Sequence, residues 1–594
     1  MAMTSDDRFR LDDVAATAAE WRDAVDGVLQ GALFEKVLVG RTRGGLDIQP
    51  LYEPGSAVAL LPADPHRVAY GWDIRQHHEA THPAACAAKV LDDLEHGVTS
   101  IELGRSATSW TLDTLRQALE GVLLDIAPVV LAPHADLDAA KALVALLDEG
   151  GNATACRSWL GLDPIGAFAR SGSMADIAAC AAYAASIATS HPQVVACTVD
   201  TTRYVDAGAD EVQELGWMLA TGVAMLRALE DAGLTVERAA ATIGFRVAAD
   251  ADQFLTIARL RAARTLWSAV LAASGAPGAA SRFHAVTSAS MFSQRDTAVN
   301  ILRSTTAAFA AGVGGADAVT VLPFDGSDSA LARRNARNIH HLLIDESGIN
   351  RLVDPAAGSA FVESLTQRLL EAGWAAFQDV EVAGGMPAVL ESGVVANATR
   401  ASWELRLGQL ATRREPVTGV SEFPDTGPVA PTVKGGGHGE FPMRRPAAPF
   451  EALRDAADRS RSAGVDPIVH LATLGPMAEH TARSAWISNF LAVGGLSVDG
   501  GDGDGAASPI EAAARFEASG SSIAVVCSSD AVYAERAAAT VTALKDAGAS
   551  FVALAGNPAD LRADLESAGV DAFLYLGVDV LGALGDLHER LGLD

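Results

Sequence analysis

The chain alternates short apolar runs with longer stretches of helical periodicity, and it does so twice along its length. In the first 415 residues, six apolar runs predict strands at 99–103, 128–131, 194–199, 241–246, 283–287 and 318–322. The stretches that predict helices between them include 137–147, 210–232, 252–273 and 328–345. Because repeated β–α alternation implies parallel strands joined by crossover helices, we predict an α/β fold with an eight-stranded TIM barrel over residues 41–415.

A proline- and glycine-rich segment separates the two alternating parts. Seven prolines lie between Pro416 and Pro449, and three consecutive glycines occupy 435–437. Such a segment cannot continue a helix or pair inside a sheet, so residues 416–465 are predicted to be an extended linker. After it, apolar runs at 468–474, 522–528, 551–555 and 572–576 predict a small, flavodoxin-like doubly wound domain over residues 466–594.

The N-terminal residues precede the first alternation. Residues 1–40 are predicted to form a helical arm, with Val14, Ala18, Trp21 and Val25 at helical spacing. Hydrophobic arm residues such as Trp21 are candidates for contact with another chain.

Charge and cysteine content narrow the classes of function. Acidic side chains outnumber basic ones by 74 to 45, and the resulting net charge of −29 disfavours nucleic-acid and membrane-surface partners. The longest uncharged stretch, 177–199, contains polar residues and a proline and is not predicted to span a membrane. Five scattered cysteines without metal-ligand spacing and the absence of a signal-peptide pattern predict a cytoplasmic protein.

Four sequence blocks together resemble the adenosylcobalamin-dependent acyl-CoA mutases. They are DIRQ at 73–76, RLRAARTLW at 259–267, DESG at 345–348 followed by DPAAGS at 354–359, and VEVAGGM at 380–386. Their order and spacing are similar to those of the family from about residue 40 to the end of the chain. The resemblance is greatest to the small, non-catalytic (beta) subunit of methylmalonyl-CoA mutase.

This resemblance implies a function for the assembly as a whole. Family members interconvert (R)-methylmalonyl-CoA and succinyl-CoA through an adenosylcobalamin radical, with the acyl-CoA in the barrel and the corrinoid on the C-terminal domain. In such enzymes the protein binds and orients the substrate and shields the radical, while the cofactor supplies the difficult chemistry. The implied partner is a larger catalytic subunit in a heterodimer, which would carry adenosylcobalamin and bind the acyl-CoA substrate.

The cobalamin-binding loop of the family is altered in this chain. The family signature is Asp-x-His-x-x-Gly, and the matching positions here are Ala478, His480 and Arg483. The lower face of cobalt needs an imidazole whose other nitrogen is held by a carboxylate, and Ala478 offers none. We therefore expect no corrinoid and no metal on this chain.

The barrel positions that act in the family are altered as well. His77 replaces a tyrosine, Thr202 and Arg203 replace a tyrosine–histidine pair, and Asp317 replaces a glutamine that contacts the substrate. Asp317 would place a negative charge near a substrate carboxylate. The resemblance thus predicts an isomerase component in which this chain is catalytically inactive and stabilises the large subunit.

Two other functions remain open on the sequence alone. One is a CoA-sensing or chaperone-docking scaffold, and the other is an active mutase that acts on another acyl-CoA. Arg259, Arg261 and Arg264 are candidate ligands for CoA phosphates, and packing against a partner's acidic groups or capping of carbonyls is at least as strong an alternative. The acidic loop 499–505 and the glycine-rich 435–439 lack the spacing of calcium and phosphate sites, and we interpret them as a surface loop and a tether.

Overall fold

Eight short parallel strands close into a barrel in the computed structural model, which describes residues 17–53, 65–79, 82–104, 110–134, 136–279, 281–427 and 439–593. In chain order, β1 to β8 are Asp73–His78, Ser100–Leu103, Val129–Leu131, Trp159–Leu162, Val195–Asp200, Ile243–Ala249, Arg282–Thr287 and Ala318–Thr320. The closing pair joins β8 to β1, so the predicted TIM barrel is confirmed. Six strands overlap the predicted runs. The other two strands were not predicted from the sequence, because β1 is polar and Gly161, with a φ of +70°, interrupts the apolar run of β4.

Helices surround the barrel and follow its strands. Their bounds are Pro65–Tyr70, Pro83–Glu95, Leu112–Ala118, Leu137–Glu149, Ala167–Ser171, Ile177–Ile187, Thr202–Asp206, Glu211–Asp231, Val236–Thr242, Gln253–Ala273, Thr297–Val313, Ala330–His341, Ala360–Val382, Met386–Glu391 and Val394–Ala411. One large cluster of buried apolar side chains joins these helices to the strands. No helix in the described ranges has the length and apolar character needed to cross a bilayer.

The described part of the N-terminal arm is helical but hardly packed. Helices Ala18–Leu29 and Phe34–Val37 are followed by an antiparallel hairpin of Gly40–Arg41 and Asp47–Ile48. The first helix buries none of its residues. Val14, which the sequence places in the arm, lies outside the described residues.

A five-stranded parallel sheet forms the C-terminal domain. Its strands, β9 to β13, are Ile468–Thr473, Ser497–Gly500, Ile523–Cys527, Phe551–Ala555 and Ala572–Leu574. The spatial order is β10-β9-β11-β12-β13, which is the flavodoxin order, so the predicted doubly wound domain is confirmed. The sequence missed the edge strand β10, which is only half buried and contains Asp499 and Gly500 of the acidic loop. The helices are Met477–Val493, Pro509–Ser519, Asp530–Val532, Ala538–Asp546, Arg562–Ala568 and Val580–Arg590.

The predicted linker range contains ordered structure at its end. Helix Ala448–Ser462 lies within 416–465, and its Phe450 belongs to the core of the C-terminal domain. Just before this helix, Phe441 packs edge-on against Tyr204 of the barrel, with 5.4 Å between ring centroids. Residues 428–438, which include the glycine run, lie outside the described part of the chain.

The five cysteines, all within the described ranges, are buried and unpaired. Burial raises the pKa of the Cys86 and Cys180 thiols to about 11 and that of Cys527 to about 12. At neutral pH these thiols stay protonated, so they serve as core side chains and not as nucleophiles.

Candidate functional site

The carboxyl end of the barrel is the usual position of an active site in this fold, and here its centre is charged. Glu102 of β2 is fully buried, and Arg246 of β6 donates from Nη2 to its Oε1 at 3.2 Å. His77 of β1 places Nδ1 3.0 Å from the same oxygen. Burial alone would raise the pKa of Glu102, but Arg246 and the His77 hydrogen bond outweigh it and hold the pKa well below its usual range. Glu102 is therefore a carboxylate, and His77 Nδ1 carries the proton that it donates.

Arg246 also reaches the end of β5. Its Nη1 donates to Thr202 Oγ1 at 2.9 Å and lies 3.5 Å from Asp200 Oδ1. Thr202 donates from its own Oγ1 to Asp200 at 2.7 Å and from its backbone nitrogen at 3.0 Å. The Thr202 hydroxyl, the Arg246 guanidinium and the Asp200 carboxylate are thus hydrogen-bonded to one another.

A second arginine extends this arrangement towards β4. Arg170 donates from Nη1 to Asp163 Oδ2 at 2.7 Å and lies 3.9 Å from Asp200 Oδ2. Buried Asp163 also accepts from the backbone nitrogen of Gly166 at 2.9 Å. A continuous series of charges therefore crosses the carboxyl end of the barrel, and we call it the mouth ion chain; its members are Asp163, Arg170, Asp200, Arg246, Glu102 and His77.

Three of the four barrel positions predicted from the sequence lie at this end. His77 and Thr202 belong to or contact the mouth ion chain, and Arg203 follows in the same short helix, Thr202–Asp206. Burial lowers the pKa of Arg203, although Asp200 and Asp206 oppose the shift. The sequence missed Glu102 and Arg246, although each is a lone charge inside an apolar strand.

Asp317 lies at the opposite end of the barrel. It immediately precedes β8, where its Oδ2 accepts the backbone nitrogen of Phe283 at 2.7 Å and an Arg264 guanidinium nitrogen. It thereby joins the starts of β7 and β8. Since the start of a strand is at the amino end of the barrel, Asp317 lies away from His77 and Thr202, and its match to a substrate-contacting glutamine stays a prediction.

The three candidate arginines of helix Gln253–Ala273 are engaged inside the chain. Arg259 forms an ion pair with Glu214, with 2.6 Å between Nη1 and Oε2, and donates from Nη2 to the carbonyl oxygen of Ala248 at 2.7 Å. Arg261 pairs with Asp354 and Glu363, and Arg264 donates to the Gly315 carbonyl oxygen at 2.8 Å as well as to Asp317. Their described partners are thus acidic groups and carbonyl oxygens of this chain, whereas the second alternative from the sequence named a partner's acidic groups or capped carbonyls.

A cavity of about 630 Å³ opens at the amino end of the barrel. Its wall includes Arg75, Arg157, Arg282, Trp72 and Trp159. Burial, assisted by the cations Arg157 and Arg75, lowers the pKa of Arg282 despite the nearby Asp317. Sequence reasoning missed this amino-end cavity, because its arginines are scattered over the starts of separate strands.

Arg75 is the most buried cation of the amino-end cavity. It donates from Nε to Ser100 Oγ at 3.0 Å and from Nη2 to Asp73 at 2.8 Å. Its Nη1 finds no hydrogen-bond partner among the described residues. The guanidinium lies 5.1 Å from the ring of Trp159, so a cationic and an aromatic surface meet inside the cavity.

The C-terminal candidate residues lie in the first turns of helix Met477–Val493. His480 is fully buried, and its Nε2 lies 3.1 Å from the carbonyl oxygen of Gly503. Its Nδ1 has no hydrogen-bond partner in the described part of the chain, and Ala478 provides no carboxylate. Since a carbonyl oxygen only accepts, Nε2 carries the proton.

Arg483 fills the crevice at the carboxyl ends of β9, β11 and β12. It donates from Nη1 to the carbonyl oxygen of Ser528 at 2.5 Å and from Nη2 to Asp530 at 2.7 Å. Its guanidinium lies 4.9 Å from the Tyr533 ring, and a Cβ on Gly556 would come within 3.2 Å of it. Doubly wound domains bind their ligands at this point, where the strand order reverses. Here a side chain of the protein occupies it.

The described residues also lack the arrangement that a metal ion needs. Across the described ranges, no group of three or more histidine, cysteine or acidic side chains is arranged to hold an ion. Asp499 pairs with His470 at 2.7 Å, and Asp504 accepts the backbone nitrogen of Met477 at 3.1 Å. The acidic loop is therefore held by hydrogen bonds to its own domain.

Comparisons with known proteins all indicate similarity to methylmalonyl-CoA mutases. The family model described as methylmalonyl-CoA mutase matches residues 111–434. The methylmalonyl-CoA mutase small subunit of Streptomyces virginiae is 43% identical, with 97% of each chain covered. The probable small subunit of Mycobacterium tuberculosis is 39% identical over 98% of each chain. The small subunit of Propionibacterium freudenreichii subsp. shermanii is 34% identical over 97% of this chain and 95% of its own.

Proposed function

This chain belongs to the methylmalonyl-CoA mutase family, and on that premise we propose that it is the non-catalytic small subunit of a heterodimeric mutase. The family is one of isomerases that generally depend on cobalamin. In the proposal, the heterodimer interconverts (R)-methylmalonyl-CoA and succinyl-CoA, and the large subunit holds both adenosylcobalamin and the acyl-CoA. Five buried, unpaired thiols support a cytoplasmic location.

The observation that carries the proposal is Arg483 in the crevice of the C-terminal domain. A corrinoid bound there would need this space, and removing Arg483 from it would break the hydrogen bonds to Ser528 and Asp530. A lower cobalt ligand also needs an exposed imidazole that a carboxylate orients. His480 is buried and hydrogen-bonded to Gly503 instead. The residues present do not fit the cofactor, so no step of the reaction is assigned to this chain.

The mouth ion chain supports the same conclusion from the barrel. Radical rearrangement requires polar groups that are free to contact the thioester and its carboxylate. Glu102, Arg246 and Asp200 already neutralise one another at the position where such groups would act. Separating them to admit a substrate would leave buried charges unpaired, which costs several kcal/mol, about 3–5 by analogy with other buried pairs.

We further propose that the N-terminal arm contacts the large subunit. Helix Ala18–Leu29 has an apolar face that includes Trp21, Val25 and Val28, and none of its residues is buried. Among its described contacts with the rest of the chain are Trp21 against Phe34, with ring centroids 6.2 Å apart, and the Arg22 guanidinium 3.8 Å from the same ring. An isolated helix of 12 residues is only marginally stable in water, so the arm gains stability when a partner covers this face.

The test is reconstitution from separately purified chains. The chain alone should retain no cobalamin absorbance after desalting and should not convert methylmalonyl-CoA. Adding it to the large chain should raise the activity and the thermal stability of that chain. A chain without residues 1–40 should give a less stable complex. A corrinoid spectrum on the isolated chain would contradict the proposal and favour an active mutase for another acyl-CoA.

The amino-end cavity favours a second candidate function, a CoA-sensing or docking scaffold. Its wall carries four arginines against the carboxylates of Asp73 and Asp317, beside two tryptophans, and this excess of positive charge suits a ligand with phosphate and aromatic parts. Calorimetry with succinyl-CoA separates the two candidates. The sensing function predicts saturable binding to the chain alone that is lost in Arg75→Met, whereas a purely stabilising subunit shows no binding heat.

A further inference from the structure

Phe423 is held in a backbone conformation that phenylalanine rarely adopts. Its φ is +51°, in the left-handed region, where the Cβ of an ordinary residue approaches the following carbonyl oxygen. Its side chain is also 77% exposed, although a phenyl ring has no polar group to offer water. Backbone strain and an apolar ring in water are both unfavourable, and Phe423 combines them.

The surrounding turn, residues 417–425, enforces this conformation. Gly419 donates to the carbonyl oxygen of Glu422 at 2.8 Å, and Asp425 donates back to the carbonyl oxygen of Gly419 at 3.1 Å. Val417 donates from its backbone nitrogen to Ser421 Oγ at 2.8 Å. With hydrogen bonds on both sides of it, Phe423 cannot leave the left-handed region unless the turn opens.

The turn is also fixed at the junction of the two domains. Arg303 of the barrel donates to the carbonyl oxygen of Thr418 at 2.6 Å, and Arg454 of helix Ala448–Ser462 donates to that of Asp425. Val420 is fully buried in the core of the C-terminal domain. Contacts with both domains therefore set the position of the ring, which projects outward from their junction.

We propose that Phe423 is an anchor residue that inserts into an apolar pocket of the large subunit, an inference that rests on the proposed function. Strained residues persist where the surrounding structure over-determines them, and they concentrate at functional sites. Exposed aromatic side chains on a rigid support are the type of residue that dominates protein interfaces. Because the turn contacts both domains, a partner that covers Phe423 meets the barrel and the C-terminal domain together. A large homologous subunit can do so.

The experiment compares Phe423→Asn with Phe423→Tyr and with Ile510→Asn. Asparagine tolerates the left-handed region and removes the ring, tyrosine keeps the ring, and Ile510 is an equally exposed apolar residue of helix Pro509–Ser519. For binding to the full-length large subunit, we expect Phe423→Asn to weaken the affinity about tenfold or more. Ile510→Asn should stay within about threefold of the unchanged chain, whereas Phe423→Tyr, which keeps the ring but adds a hydroxyl to the apolar pocket, should fall between the two.

A second readout separates binding from folding. The isolated Phe423→Asn chain should unfold at the same or a higher urea concentration than the unchanged chain, because the strain is relieved. Unchanged affinity of Phe423→Asn, or a lower urea midpoint for it, would overturn the inference. If the unchanged chain itself does not bind the large subunit, it is the proposed function that fails. If the unchanged chain binds and Phe423→Asn binds equally well, only the role of Phe423 is refuted.

Discussion

The two ends of the barrel differ in how their charged side chains are paired and enclosed. At the carboxyl end, Arg246 is shared between Glu102, Thr202 and Asp200, and the mouth ion chain closes the centre. At the amino end, the buried Arg75 pairs with Asp73 and also faces a cavity of about 630 Å³, whose wall includes Arg157 and Arg282. Both ends pair their central arginine with a carboxylate, and the amino end in addition presents arginines on the wall of a cavity.

Under the proposed function, this difference marks where the chain departs from a catalytic barrel. A barrel that has merely lost single side chains would keep an open carboxyl end with unsatisfied polar groups. Here the charged groups at the carboxyl end pair with one another, which agrees with the proposed non-catalytic role. The amino end keeps the composition of a binding cavity. The following variants test this contrast, beginning with the largest expected effect.

Arg246→Met should destabilise the isolated chain by about 3–5 kcal/mol, because it leaves the buried Glu102 carboxylate without its cation. Urea denaturation followed by far-UV circular dichroism measures the change. Glu102→Gln combined with Arg246→Met should lose about 2 kcal/mol less than the sum of the single variants, since neither charge is then left alone. Strictly additive losses would show that the two groups do not interact.

Acidification should destabilise the chain at both ends of the barrel. Burial and neighbouring charges lower the pKa of His78, at the end of β1, and of His340, beside Trp72, to about 3. Both stay neutral in the folded chain, whereas in the unfolded chain they bind protons below about pH 6.5. Stability is therefore complete above pH 6.5 and falls below it, by about 1.4 kcal/mol per pH unit for each histidine.

Urea midpoints between pH 7.5 and pH 5 test this effect. Glu102 contributes in the same direction only below its ordinary pKa of 4.5 and therefore lies outside this window. Burial also lowers the pKa values of His284 and His588, so His78→Gln should remove only its own part of the slope of stability against pH, about 1.4 kcal/mol per pH unit. A slope unchanged in that variant would mean that His78 is protonated in the folded chain.

Arg75→Met should cost far less than Arg246→Met, about 1 kcal/mol. The carboxylate that loses its cation is Asp73, which is partly exposed and still accepts hydrogen bonds from Thr99 at 2.5 Å and Ser100 at 2.6 Å. The same urea measurement applies. A loss as large as that of Arg246→Met would remove the proposed contrast between the two ends.

Arg227→Ala gives the baseline and the smallest expected effect. Its pair with Glu381, at 2.7 Å, lies on the surface, and the arginine side chain is 61% exposed. Removing it should change the free energy of unfolding by less than about 1 kcal/mol. A larger change would show that the losses of stability at the barrel ends do not arise from the burial of the charged groups there.

Sequence periodicity predicted the helices and most strands because their buried faces are apolar. Asp210 and Asp252 were assigned to the starts of helices, and each is the residue that caps the first turn with its side chain. Strand β1 was missed because its sequence, DIRQHH, carries its charges into the barrel interior. The edge strand β10 was missed because its residues are half exposed and lack an apolar run.

The candidate site was partly predictable. The resemblance located His77 and Thr202, which the structure brings to one end of the barrel. Glu102 and Arg246 each stand alone inside an apolar strand, and only their pairing across the barrel explains two buried charges. Asp317 lies at the other end of the barrel, which the resemblance did not indicate. The predicted strand at 318–322 already placed it before a strand start, and therefore at the amino face.

The corrinoid content of the purified complex tests the central claim most directly. The heterodimer, saturated with cobalamin and then desalted, can be measured for cobalt and for each chain by amino-acid analysis. One corrinoid per pair of chains is the predicted result, because Arg483 and the buried His480 leave no room for a second. Two corrinoids per pair would contradict the account.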